Sequence, residues 1–281
     1  MTDTNNSDRL LSGVKNIIAV GAGKGGVGKS TIAVHLAVGL RRASSAVGLM
    51  DCDIYGPSIA TMTGIEGAAP LVADKNKIAP FDACGLKVIS MANFIPPDAA
   101  MIWRGPMVHG AVKQFLTDVD WGELDYLVVD LPPGTGDPPL TLAQTVGVTG
   151  AIIVTTPQAL AINDAMRAAQ MYRKLGIHVL GVVENMSYFV CPACQAEHDI
   201  FGRGGAKKAA EQAALPLLGE IPMNLSMRVN TDGGDAEADF DESQNPAVAG
   251  ALAAMVENVT EQVKIRKESQ PPAEPIRVGK K

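Results

Sequence analysis

Residues 23–30 read GKGGVGKS and satisfy the pattern G-x-x-x-x-G-K-S/T through Gly23, Gly28, Lys29 and Ser30. Glycines at these places let successive backbone N–H groups curl around phosphate oxygens with no Cβ in the way. Lys29 then neutralises the β- and γ-phosphates, and Ser30 reaches Mg2+. The flanks agree with that use. Residues 16–21 (NIIAVG) form an apolar run of strand length, and residues 30–41 have helical character, so a helix N-terminus faces the anion. The candidate nucleotide contacts are therefore Gly23, Lys24, Gly25, Gly26, Val27, Gly28, Lys29, Ser30 and Thr31. Lys24 is unusual, because a second cation so near Lys29 is repelled unless a phosphate lies between them; the alternative is a solvated surface lysine.

Working outward, apolar runs recur at residues 46–51, 86–92, 125–130, 150–156, 178–184 and 216–221, with helical patterns near 107–117, 162–175, 205–214 and 245–267. This alternation predicts an α/β fold with a doubly wound, mostly parallel sheet flanked by helices. Ligands then bind at the carboxyl ends of the strands. A chain of 281 residues, 47% hydrophobic, is long enough to bury one large core. We expect a single domain over residues 14–265, a flexible polar segment at 1–13 and a flexible, proline-rich charged tail at 266–281. The acidic stretch 232–242 reads as a surface loop.

A net charge of −6 argues against a nucleic-acid groove, which must gather lysines and arginines. No apolar stretch approaches the ~20 residues of a membrane span. The start, MTDTNNSDRL, has neither the apolar core of a signal peptide nor the arginine-rich character of a transit peptide, so a cytoplasmic location is expected. Four cysteines are too few and too oddly placed for a secreted disulfide framework, which leaves reduced thiols or metal ligands.

Two carboxylate motifs suit the nucleotide site. In LVVDLPPGTGD, residues 127–137, an apolar strand ends at Asp130, placed to hold Mg2+ through water or to act as a strand-end cap. Gly134 and Gly136 follow, able to offer N–H groups to a γ-phosphate or simply to turn the chain. In GLMDCDIYGPS, residues 48–58, Asp51 and Asp53 end another strand, and at a frayed end both can reach toward phosphates. Cys52 between them suits packing.

Cys191 and Cys194 form CPAC. A tetrahedral Zn2+ or a 4Fe-4S cluster needs four thiolates, and this segment supplies two. One chain is half a site, and two chains around a two-fold axis complete it. A structural zinc clamp and a pair of free thiols stay open beside the cluster; a redox pair is disfavoured because CPAC follows a strand and does not open a helix. His198 nearby is either a further ligand or a solvated loop residue.

Together GKGGVGKST, MDCDIYGPS, MIWRGPMV, LDYLVVDLPPGTGD, GVVENMSYFVCPAC and LLGEIPMN resemble the Mrp/ApbC family of iron-sulfur cluster carriers, within the MinD/ParA superfamily of deviant P-loop ATPases. The likeness covers residues 12–265. It implies ATP and Mg2+ binding, ATP hydrolysis, a 4Fe-4S cluster shared between the Cys191–Cys194 pairs of a homodimer, and apo iron-sulfur proteins and a cluster assembly scaffold as partners. It assigns Lys24 to the partner subunit's nucleotide, in the manner of an arginine finger. Asp53 would position or deprotonate the attacking water, and Asp51 would join the Mg2+ water shell or serve a purely structural role. Asn185 in GVVENMS would contact adenine with backbone help near Pro222, although a turn-forming asparagine is the plainer reading; no guanine signature accompanies it. Trp103 falls near the dimer face, as an interface anchor or a core residue. With the phosphate loop so near the start, the small N-terminal domain often fused to this family is not expected. Two other classes are a MinD- or ParA-type positioning ATPase, which would use a C-terminal amphipathic helix or basic patch, and a nitrogenase-reductase-like electron donor, whose two widely separated cysteines CPAC does not resemble.

Overall fold

Adjacent residues of the first strand turn to opposite sides, and this decides the layering. A computed structural model describes residues 10–54, 56–73, 77–94, 105–134, 136–194, 196–271 and 273–276. The elements in chain order are β1 (Ile17–Ala22), α1 (Lys29–Arg42), β2 (Val47–Asp51), α2 (Ile59–Met62), β3 (Leu71–Val72), β4 (Ile78–Ala79), β5 (Phe81–Ala83), β6 (Leu86–Ser90), α3 (Gly105–Asp118), β7 (Tyr126–Asp130) and α4 (Asp137–Thr145). They continue with β8 (Gly150–Thr155), α5 (Ala159–Lys174), β9 (Val179–Val190), β10 (Glu197–His198), α6 (Gly205–Gln212), β11 (Leu217–Met223), α7 (Leu225–Asp232) and α8 (Pro246–Ser269).

The main sheet runs β10-β9-β8-β1-β7-β2-β6-β5, with β11 also paired to β9. Its ladders are parallel except where β5 meets β6 and β10 meets β9. A parallel sheet is covered on both faces, and β1, β2 and β8 are buried at every position. Ile18, Val20 and Ala22 of β1 pack in one core with α1 and α8. Ile17 and Ala19 pack in the other, with α3, α4 and α5. The chain leaves β1 through α1 toward β2 on one flank, while β8 closes the other flank. The carboxyl end of β1 is thus a point where connections diverge, and crevices for ligands form there.

Four expectations shift. The strand expected at 86–92 ends at Ser90 and gives way to a 3-10 turn, Met91–Phe94. The strand expected at 178–184 runs on to Val190, because β10 and β11 continue to pair with it. The acidic stretch read as a surface loop contains a 3-10 turn, Ala236–Phe240, whose Ala236, Asp239 and Phe240 are buried. Asp239 goes inside because His35 of α1 meets it, Nε2 to Oδ2 at 2.8 Å, and Asn230 Nδ2 donates to its other oxygen at 2.8 Å. Past residue 265, where a flexible tail is expected to begin, the chain is also still helical. Helix α8 continues to Ser269, stopping just before Pro271 as a helix must, and the Ile276 N–H donates to the Ala143 carbonyl at 2.8 Å. Trp103 lies outside the described residues. No helix among the described residues is long and apolar enough to cross a membrane.

Candidate nucleotide site and cysteine hairpin

The phosphate loop leaves β1 and enters α1 through Gly28, which takes φ 78° as the residue before the helix. Only glycine adopts this freely, and the space is closed as well: a Cβ on Gly28 would strike the Asn185 amide nitrogen. Gly23 is pinned similarly against the Asp164 backbone of α5. Gly25 and Gly26 are exposed, Val27 is buried, and Gly23, Lys24 and Thr31 are partly covered.

Lys29 is 6% exposed and turns inward. Its ammonium donates to Asp130 Oδ1 at 2.6 Å and to Ser30 Oγ at 3.1 Å, and stands 3.4 Å from Asp53 Oδ2. The Ser30 hydroxyl donates to Asp130 Oδ2 at 2.6 Å. Burial presses against the Lys29 charge, but the Asp130 and Asp53 carboxylates outweigh it and hold the lysine pKa above its usual value. Asp130 reaches this group because β7 lies between β1 and β2, in register with Val20 and Asp51.

Asp51 is fully buried, accepting from the Ser90 hydroxyl at 2.8 Å and the Asp53 N–H at 3.0 Å. Burial and the neighbouring Asp130 charge push its carboxyl up to about 7. Asp53 stays at the rim, 7% exposed, and its Oδ1 accepts from the Gly56 N–H at 3.3 Å. Cys52 is buried, and burial pushes its thiol well up. Gly134, at φ 97°, donates its N–H to the Ala22 carbonyl at 2.8 Å, tying the loop after β7 to the base of the phosphate loop. One lysine, one hydroxyl and three carboxylates thus converge where β1, β2 and β7 end. Oxygen donors of this kind, Ser30, Asp130 and Asp51, fit a hard cation such as Mg2+.

Asn185 sits two strands away on β9, 4% exposed, and its amide donates to the Val27 carbonyl at 3.0 Å. The structure thus gives it a contact with the phosphate loop that the sequence did not suggest. Pro222 lies in β11, beside the same part of β9.

Beyond Asn185, β9 continues to Val190 and the chain returns as β10, with the Cys191 N–H donating to the Ala196 carbonyl at 3.0 Å. Cys191 is half-buried and Cys194 exposed. Donation from the Cys194 and Ala193 N–H groups, and then from the Cys194 thiol, lowers the Cys191 pKa, which favours the ligating thiolate. His198 is exposed on β10. Cys84 lies between β5 and β6 at the opposite edge of the sheet. Among the described residues, no three His, Cys, Asp or Glu side chains gather into a metal site within the chain. Glu184, Ser187 and Ser90, all buried beside these sites, were missed in the sequence; for Glu184 the signal was an acid ending an apolar strand.

Fold and phosphate loop define a P-loop NTPase of the doubly wound α/β class. A ParA family model, described as NUBPL iron-transfer P-loop NTPase, matches residues 13–260. An iron-sulfur cluster carrier protein of Deinococcus radiodurans is 53% identical over 263 residues, spanning 93% of this chain and 74% of that protein. A nucleotide-binding protein from Archaeoglobus fulgidus, solved in complex with ADP, superposes with a TM-score of 0.72 at 39% identity, covering 84% of this chain and 93% of that one. The cell division ATPase MinD of Pyrococcus furiosus shares the fold, with a TM-score of 0.65 at 21% identity, over 88% of this chain and 99% of that one. The chain belongs to the ParA family of P-loop NTPases, among its iron-transfer members.

Proposed function

We propose that this protein is a nucleotide-dependent iron-sulfur cluster carrier, an ATPase that holds a cluster between two subunits and passes it to apo iron-sulfur proteins. The observation that carries the proposal is the Cys191–Cys194 turn, open to solvent and mounted on the strand whose Asn185 touches the phosphate loop. Two thiols are half of a four-thiolate site, so a second copy completes it around a two-fold axis. An exposed cargo site suits transfer better than storage. The 53% identical carrier of Deinococcus radiodurans supports the same reading.

In this scheme Lys29 and the loop N–H groups hold the phosphates of ATP, and Lys24 reaches the partner subunit's nucleotide. Asp53, at the rim and beside Lys29, orients the attacking water. Ser30, with Asp130 and Asp51 through water, would hold Mg2+, which supplies positive charge against the phosphate oxygens when bound. Asn185 and the chain near Pro222 border the adenine. The cluster in this scheme is 4Fe-4S, which four thiolates hold, as they also hold 2Fe-2S.

The test is anaerobic reconstitution of wild type, Cys191→Ala and Cys194→Ala, with iron, zinc and acid-labile sulfide measured beside nucleotide affinity and mass in solution. Wild type is expected to bind iron and sulfide as a dimer, and each variant to lose both while still binding ATP. A variant that kept its full iron content would refute the ligand assignment. Zinc without sulfide would make the site a structural clamp.

A further inference from the structure

The cysteine turn is the tip of an excursion whose two arms start from one buried residue. Glu184 is fully buried at the point where β9 leaves β8, paired there with Thr155. One of its oxygens accepts from the Ser187 hydroxyl at 2.6 Å, on the outgoing arm. The other accepts from the Ala206 N–H at 2.9 Å, in the first turn of α6 where the returning arm ends. An acid at a helix N-terminus is favoured by the exposed N–H groups there. A single carboxyl group therefore closes the base of the whole loop that carries Cys191 and Cys194.

The strand is also jointed here. Ile221 and Met223 of β11 pair with Asn185 and Phe189, so four steps along β9 match two along β11. The residue between them on β11 is Pro222, which has no N–H to give to a ladder. β9 bulges opposite it, and Met186 takes φ 54°, a left-handed conformation that costs a side-chain-bearing residue energy. Beyond the joint the arms are fastened to each other. Phe189 and Val190 pair with β10, the Arg203 guanidinium lies 4.7 Å from the centre of the Tyr188 ring, and the same arginine donates to Glu197 at 2.7 Å. The tip is thus braced, on a base that is bulged. The residue next to Glu184 is Asn185, bonded to Val27 of the phosphate loop.

We propose that Glu184 is a positioning residue that couples the two sites: when the phosphate loop closes on nucleotide, displacement at Val27 passes through Asn185 to the Glu184 joint and changes the exposure of the cysteine pair. This deepens the carrier reading and rests on it for its purpose. Coupling of this kind works equally in both directions, so occupancy of the cysteines alters nucleotide affinity by the same factor.

The test uses metal-free protein and follows iodoacetamide alkylation of Cys191 and Cys194 by peptide mass spectrometry, without nucleotide, with Mg-ADP and with Mg and a non-hydrolysable ATP analogue. In wild type the rates are expected to differ by about fivefold or more between nucleotide states. Ser187→Ala frees the outgoing arm and is expected to abolish most of that difference while nucleotide affinity persists. Glu184→Ala frees both arms and goes further. Glu184→Gln keeps an oxygen for Ala206 and an NH2 group for Ser187, and is expected to restore the response. If Glu184→Ala does not fold, Ser187→Ala decides. Equal wild-type rates in all states, a full response in Ser187→Ala, or loss of nucleotide binding by Ser187→Ala would each overturn the proposal. Iron and sulfide content of reconstituted wild type separates the two claims. A loaded protein with no thiol response keeps the carrier and loses the coupling; a responsive protein that never loads a cluster does the reverse.

Discussion

Replacing Lys29 by Met is expected to destabilise the folded chain in the absence of nucleotide, apart from any effect on catalysis. The ammonium stands against Asp130 and Asp53, at 2.6 and 3.4 Å. With an effective dielectric of about 20, those separations correspond to about 6 and about 5 kcal/mol of attraction. Desolvating the lysine and the carboxylates cancels much of this. Removing one partner of the buried Lys29–Asp130 pair leaves a net loss of about 3–5 kcal/mol, because the fully buried Asp130 charge loses its counter-ion. For a chain of this size that lowers Tm by about 5–9 °C.

The loss depends on pH, and its sign follows from the carboxyls. Asp51 is pushed up to about 7 by burial and then by Asp130. The folded chain therefore retains a proton that an unfolded aspartate releases above about pH 4. This group costs stability progressively as pH rises from about 4 to about 7. Without the Lys29 charge the penalty grows, so the deficit of the variant is largest at pH 8 and shrinks toward pH 5. Urea unfolding of nucleotide-free wild type, Lys29→Met and Lys29→Met with Asp130→Asn, at both pH values, measures it. The double variant is expected to recover most of the loss. A Lys29→Met protein within about 1 kcal/mol of wild type at pH 8, well short of what a broken buried pair costs, would refute the reasoning.

Lys24→Ala is expected to lower ATP turnover by about 100-fold, the usual cost of a lost transition-state charge contact, with a much smaller change in nucleotide affinity; unchanged turnover across a range of protein concentrations removes the cross-subunit role. His35→Leu keeps the volume but leaves Asp239 buried beside Asn230 alone, and is expected to cost about 3–5 kcal/mol, partly recovered by Asp239→Asn, as read by urea unfolding.

The phosphate loop, the alternation of apolar runs and the Cys191–Cys194 spacing were legible in the sequence because each is local. A glycine loop between a strand and a helix, or two thiols in one turn, needs no distant residue to be recognised. The family matched by the chain agrees with the reading of the fold as a P-loop NTPase. Partnerships across the sheet were not legible. Nothing near residue 239 in sequence marks one acid of a charged stretch for burial; that follows from the seat of His35 above it, 204 residues away. Likewise, nothing near residue 276 in sequence marks its N–H for the Ala143 carbonyl of α4; packing brings the two together.

Residue types and spacing alone therefore determined that this chain wraps phosphate, builds a parallel sheet and offers two thiols. Tertiary structure decided which groups share an environment. It drew Lys29 inward onto Asp130 by setting β7 between β1 and β2, and it put the cysteine excursion on the strand that touches the phosphate loop, with Glu184 at its base. The physical reason is that a buried polar group must find its partner wherever the fold brings one, and strand order, which no local pattern encodes, determines where that is.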